Sequence, residues 1–280
     1  MRRLKCCIPT LMKEALAVVV RGGAGGGAAG QVVQGQQQGV GGVLEQAVAS
    51  LGLAKGAEGD GAQEGKPWRA VIDLGCGTGL CAPFLRPLTP RLVGIDISGE
   101  MVGRAASRSD AKYDQLIVGN ITEELGTTGG AGGGAGGGAG RFEAGSFDVA
   151  VASDVLLYMP SLAKLFEGAA RVLSDDVCLV AAGGRGGEEG AARGGLFAFS
   201  TEHLTEDEEA EACGGKAGEA GKAGPGWLLR RTGRFAHARW YVEATARDHG
   251  FIVAHHDTAV GREDAGKPIV VGVYVLRKGV

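Results

Sequence analysis

The residues best suited to chemistry stand where an apolar run meets a row of glycines. Val71-Ile72-Asp73-Leu74 passes directly into Gly75-Cys76-Gly77-Thr78-Gly79, with glycine at alternate positions. Lacking a Cβ, glycine accepts the tight turn at a strand's carboxyl end and lets a ligand lie against the backbone. A second apolar run, Val93-Gly94-Ile95, ends in Asp96, 17 residues after Gly79. An acid about 20 residues beyond such a turn is placed to accept hydrogen bonds from ribose hydroxyls. Together the two elements imply a ligand that contains adenosine. Taken singly, the first is a tight turn and the second a helix-capping acid.

Four further residues are candidates for contact with a second substrate: Asp154, Tyr158, His203 and His237. The last three are candidates for catalysis, as groups able to donate or take a proton. Each also has a plain reading. Asp154 can serve the ligand instead, Tyr158 can wall a pocket, and the two histidines can pack or cap. His255 and His256 are adjacent on a strand and therefore face opposite ways, which argues against a shared metal site. The run Glu206–Glu211 reads as a solvated face and Cys76 as a small packing residue. Six cysteines, at 6, 7, 76, 81, 178 and 213, form no C-x-x-C spacing, so reduced thiols and no metal site are expected.

The elements that must position these residues alternate between strand-like and helix-like, the pattern of a parallel sheet wrapped by helices. Strands are predicted at Arg69–Leu74, Arg91–Ile97, Gln115–Val118, Phe147–Ala152 and Gly195–Ser200. Between them lie helices at Leu80–Leu85 and from Ser98, as cap, to about Arg108. Another begins near Pro160, where Leu162, Leu165, Phe166, Ala169, Ala170 and Leu173 mark one face. A helix at Arg239–His249 and strands at Phe251–His256 and Ile269–Leu276 close the chain. The short connection holding Gly261 and Gly266 predicts that those two strands are antiparallel.

Composition bounds the rest. Of the 280 residues 53 are glycine, gathered in runs at 22–30, 129–140 and 183–195 rather than spread through the elements. Residues 1–42 are expected to be unstructured, with a short amphipathic helix at Val43–Leu53. Residues 43–280 then form one domain with insertions near 126–140, 174–194 and 205–226; Val177–Ala182 is strand-like but is treated as part of its insertion. A formal charge of −3 gives no basic footprint for nucleic acid. No apolar run is long enough for a membrane span, so a soluble, cytoplasmic protein is expected, with an organelle transit peptide only weakly signalled by Arg2, Arg3 and Lys5.

The string Ile72-Asp73-Leu74-Gly75-Cys76-Gly77-Thr78-Gly79 resembles the first motif of class I S-adenosylmethionine-dependent methyltransferases. Nicotinamide dehydrogenases read G-x-G-x-x-G, whereas here the third glycine falls one residue early. Val93–Ser98 resembles the second motif, and Phe147–Tyr158 the strand leading to the methyl-transfer site. The resemblance implies S-adenosylmethionine as cofactor, held by Asp73, Gly75, Cys76, Gly77, Thr78, Gly79, Asp96, Ile97, Met101, Asn120, Ile121, Ser153 and Asp154. Asn120 departs from the usual aspartate at the adenine-reading position. The implied fold is a doubly wound, Rossmann-like α/β sheet of seven strands, mostly parallel with an antiparallel last strand. Gly233-Arg234-Phe235-Ala236-His237 with Tyr241, Gly250-Phe251 and Lys267-Pro268-Ile269 is similar to methyltransferase domains joined to tetratricopeptide repeats, although no such repeat is visible here.

The expected function is methyl transfer from S-adenosylmethionine to an unidentified acceptor, a small molecule by preference, through in-line displacement. Two alternatives stay open at this point: a non-catalytic module that binds the cofactor or a partner, and a nicotinamide-dependent oxidoreductase. Sequence leaves the oligomeric state and the acceptor undetermined.

Overall fold

The run Ala70–Leu74 (β1) is apolar without alternation, as a strand covered on both faces must be, and it is buried along its whole length. The same holds for Val149–Ala152 (β4) and for most of Leu196–His203 (β7). In the computed structural model, which describes residues 15–16, 66–110, 112–126, 140–179, 192–205, 207–208, 224–264 and 266–279, these three strands form the centre of one sheet. Arg91–Asp96 (β2) and Gln115–Val118 (β3) continue it on one side, and Phe251–Asp264 (β10) and Lys267–Lys278 (β11) on the other. The order is β3-β2-β1-β4-β7-β11-β10. All pairs are parallel except those made by β11, which runs antiparallel to both β7 and β10. This is the doubly wound, seven-strand order with an antiparallel last strand that the motifs imply.

Chain order runs outward from β1 to β3 and then returns to β4, so the direction of winding reverses between β1 and β4. Ligand crevices open at the carboxyl edge of such a switch point. The helices follow from their patterns. Ser98 caps Gly99–Ala106 (α2), its hydroxyl accepting from Met101 N at 3.3 Å. Ala163–Val172 (α4) buries Leu165, Phe166, Gly168, Ala169 and Val172. Arg239–Asp248 (α5) leads into β10. Ala82–Leu85 (α1) is a single turn that tightens into a 3-10 turn at Arg86–Leu88.

Several features depart from expectation. Within 174–194, treated as an inserted loop, Cys178–Leu179 (β5) pairs antiparallel with Ala192–Arg193 (β6), so the strand-like start of that segment does form a ladder. Two elements carry too little sequence to show a period: Ile121–Leu125 (α3), and the hairpin of Trp227–Leu229 (β8) with Phe235–His237 (β9), which joins the sheet through β7. Helix α4 begins at Ala163, so Pro160 precedes its first turn. Strand β10 runs eight residues past the expected His256. Ala15 and Leu16, inside the stretch expected to be unstructured, are helical and belong to the core. The rest of 1–42, the helix expected at Val43–Leu53 and most of the 126–140 and 205–226 insertions lie outside the described residues.

The core around α4 is aromatic. The Phe166 ring stands 5.5 Å from Phe197, 5.3 Å from Phe199 and 6.2 Å from Phe251, tying α4 to β7 and β10. Phe166→Ala is therefore expected to cost about 3–5 kcal/mol in urea unfolding, the usual toll of an emptied aromatic site. A loss below about 1 kcal/mol would show that this cluster does not clamp helix to sheet.

Candidate active site

β1 ends in a turn whose three glycines all take positive φ: 70° at Gly75, 54° at Gly77 and 79° at Gly79. L-residues rarely adopt that region, so the alternation of glycine is a conformational requirement. The turn is held from two sides. Cys76 N donates to Ile95 O at 2.9 Å, and Gly77 N donates to Asp96 Oδ2 at 2.8 Å. The other carboxylate oxygen, Oδ1, accepts from Ser98 N at 2.9 Å. Asp96 thus joins the glycine turn to the start of α2, and each oxygen keeps a second lone pair for a ligand hydroxyl.

The other residues implied for the cofactor gather along the same edge. Ile97 follows Asp96 and is 74 % exposed, and Met101, one turn into α2, is also exposed. Thr78 is half-buried in the turn; Cys76 is buried there, its thiol pushed up first by desolvation, which suits packing and not nucleophilic work. At the end of β3, Asn120 caps α3, its Oδ1 accepting from Thr122 N at 3.0 Å, while Ile121 is buried. With its oxygen engaged as a cap and Nδ2 donating to Glu123 Oε1 at 3.4 Å, the Asn120 amide keeps its second N–H to meet a base edge. At the end of β4, Ser153 is half-buried and Asp154 takes the left-handed conformation, φ 58°.

Asp73 differs from its neighbours. It is 1 % exposed and faces inward, accepting from Tyr113 Oη at 2.6 Å. Burial raises its carboxyl to about 7, with the nearby Asp96 adding to the rise and the Tyr113 hydroxyl opposing it. Tyr113 went unread in the sequence. Its ring lies over the turn, since a Cβ on Gly94 would come within 2.9 Å of it and one on Gly79 within 3.3 Å. The glycine at 94 was the one visible trace of that ring.

The acceptor-side candidates separate. Tyr158 stands on a 3-10 turn after β4 and is 64 % exposed. His203 ends β7 half-buried, and burial holds its imidazole below the usual value. His237 is wholly buried, with Nε2 2.9 Å from Met159 O, its ring stacked on Tyr241, and burial pushing it down to about 4. It braces β9 against the turn carrying Tyr158. His256 faces the Tyr274 ring at 4.5 Å and His255 pairs with Val275, so the two do not converge. Among the described residues no group of three or more His, Cys, Asp or Glu is placed to hold a metal, and no helix is long and apolar enough to cross a membrane.

Within the charge run expected to be a solvated face, only 207–208 are described, and Glu208 is held by partners. Its carboxylate accepts from Thr205 N at 3.0 Å and from Arg230 at 2.8 Å. Arg230 also donates to Glu202 at 3.0 Å, and Glu202 is buried at the end of β7. An acid at the penultimate position of a buried strand is the signal that Glu202 needed partners.

Residues 72–179 match the family described as methyltransferase domain. Over that segment the chain is similar to methyltransferase domains. A solved S-adenosylmethionine-dependent methyltransferase from Methanosarcina mazei shares the fold at 16 % identity and a TM-score of 0.51, covering 77 % of this chain and 94 % of that one. One from Mesorhizobium loti aligns at 20 % identity and TM-score 0.47 over 78 % and 94 %. The N-methyltransferase NodS of Bradyrhizobium japonicum, solved with S-adenosylhomocysteine, aligns at 16 % and 0.46 over 84 % and 85 %. No curated protein matches the chain significantly by sequence.

The buried Asp73 gives the methyltransferase domain a pH signature. Its folded value lies above the unfolded one, so the stability it contributes is full below about pH 4 and is lost as pH rises through about 7. The stability of wild type relative to Asp73→Asn should therefore fall between pH 5 and pH 8 in urea titrations. A difference that stays constant across that range would show that Asp73 is not held protonated by its surroundings.

Proposed function

We propose that this methyltransferase moves the methyl of S-adenosylmethionine onto a small-molecule acceptor by in-line displacement, with the donor held along the carboxyl edge of β1 and β2. The observation that carries the reading is the left-handed glycine turn whose Gly77 N–H is gripped by Asp96 at the switch point of the sheet. The residues there suit an adenosyl group. A Cβ on Gly77 would meet nothing within 4 Å, so open space faces the turn, and Asp96 offers carboxylate lone pairs to ribose. Ile97 and Met101 offer exposed apolar surface beside it. Asn120 would meet the adenine edge through its amide N–H.

The sulfonium supplies an activated methyl, so the protein's task is alignment of the acceptor and exclusion of water, an effect able to lower a barrier by roughly 7–11 kcal/mol. Ser153 and Asp154 follow β4 at the junction of donor and acceptor sides. Tyr158 supplies an exposed ring for the acceptor to lie on. His203, kept neutral at pH 7 by its lowered value, can take a proton where the acceptor must lose one. His237, enclosed and bonded to Met159 O, serves as a brace. Asp154 beside Arg262 gives the acceptor side both signs of charge, which suits a small polar acceptor better than a polyanion.

Calorimetric titration with S-adenosylhomocysteine tests the reading. Wild type is expected to bind, and Asp96→Ala to bind more weakly by about 1–3 kcal/mol, since ribose hydroxyls lose a buried acceptor. Asp96→Asn, which keeps one oxygen for Gly77 N–H, separates loss of the turn from loss of the ribose contact by falling between the two. Absence of binding to the wild type would overturn the assignment.

A further inference from the structure

The hairpin of β10 and β11 is longer than the rest of the sheet. β11 pairs with β7 only from Val271 to Arg277, while its pairing with β10 continues through Val260↔Val270 to Asp264↔Lys267. β11 runs antiparallel to β7, so this overhang lies at the carboxyl edge of the sheet, where the donor and acceptor residues gather. A bulge interrupts the overhang, with a register shift between Val260 and Arg262. Bulges re-aim side chains, and are common beside active sites. Here Arg262 comes back over the strand ends: Nη1 donates to Asp154 Oδ1 at 2.5 Å, and Nη2 is paired with Glu202 Oε1. The guanidinium is largely buried, and Glu202 has its other oxygen on Arg230.

Asp154 is the one described residue other than glycine at positive φ, 58°. Such a conformation persists in an L-residue only where its surroundings over-determine it. Two contacts do so: Asp154 N donates to Ser200 Oγ at 3.0 Å, and its carboxylate meets Arg262. We propose that Arg262 is a positioning residue of the methyl-transfer site, fixing the carboxylate and left-handed backbone of Asp154 by bridging it to the buried Glu202. The inference rests on the reading of Asp154 as a cofactor-side residue. Arg262 itself touches no substrate in this role. A lysine cannot reproduce it, because a single ammonium lacks the planar fork that spans two carboxylates.

A double-mutant cycle in the full chain tests this through binding of S-adenosylhomocysteine. The variants are Arg262→Lys, Arg262→Ala, Asp154→Asn and the doubles; Asn tolerates the left-handed region, so Asp154→Asn removes the ion pair without forcing the backbone. Arg262→Lys is expected to weaken binding about 3- to 10-fold, and the same change in the Asp154→Asn background by less than about 2-fold, the signature of two residues acting as one. Thermal unfolding of each variant reports folding separately, and Arg262→Lys keeps a cation against Glu202 if Arg262→Ala fails to fold. Affinity unmoved by Arg262→Lys, or losses that add in the double, would overturn the inference while leaving the methyltransferase reading intact. Absence of binding by the wild type would overturn both.

Discussion

Three left-handed glycines at the end of one strand set the terms for everything around them. A Cβ on Gly75 would lie 2.4 Å from Val155 Cγ2, so the segment after β4 approaches the turn only because no side chain stands there. The approach brings the ends of β1 and β4 together at the point where the sheet reverses its winding, and the crevice of the fold opens at that point. Asp96 then fixes the turn by accepting from Gly77 N–H, and through Ser98 it sets where α2 begins. Glycine contributes freedom and the carboxylate removes it again. Neither alone gives a cradle of defined shape.

Charge is used inside this edge in two ways. Asp73 sits with a tyrosine hydroxyl as its donor, and burial dominates its titration. Glu202 is as deeply buried, yet it lies between two guanidinium groups. Buried ion pairs are weak sources of stability because desolvation offsets the Coulombic gain, while losing one partner is strongly destabilising. The Glu202 arrangement is better understood as a geometric device. It joins β7, the segment after β8 and the β10–β11 overhang, and it does so at the carboxyl edge of the sheet.

The sheet was legible because its central strands are covered on both faces and so appear as unbroken apolar runs. β1 begins one residue later than expected and β3 where expected. The glycine turn was legible because its conformation admits few residue types. What escaped falls into two kinds. Elements of three to five residues, such as α3 and the β8–β9 hairpin, are too short to show a period, and they form because neighbours already stand beside them. Partnerships across long stretches of chain left almost no trace. Tyr113 meets Asp73 across 40 residues and Arg262 meets Asp154 across 108. A sequence shows that an acid in a strand needs a partner without showing which arginine the fold delivers.

These two kinds of structure divide the domain by task. The side with the glycine turn is built from β1, β2 and α2, close together in sequence, with contacts made largely by backbone groups and one carboxylate. The other side of the edge draws on β4, β7, the β8–β9 hairpin and the overhang of β10, which are distant in sequence and joined by side-chain ion pairs. Backbone-built features tolerate few substitutions, since they depend on φ values and on the absence of Cβ atoms. A network of side chains can be rebuilt by changing a few residues without disturbing the sheet. On the proposed reading the donor is therefore fixed by the fold and acceptor preference rests with exposed side chains such as Tyr158, while the hairpin overhang holds Asp154 in place through Arg262.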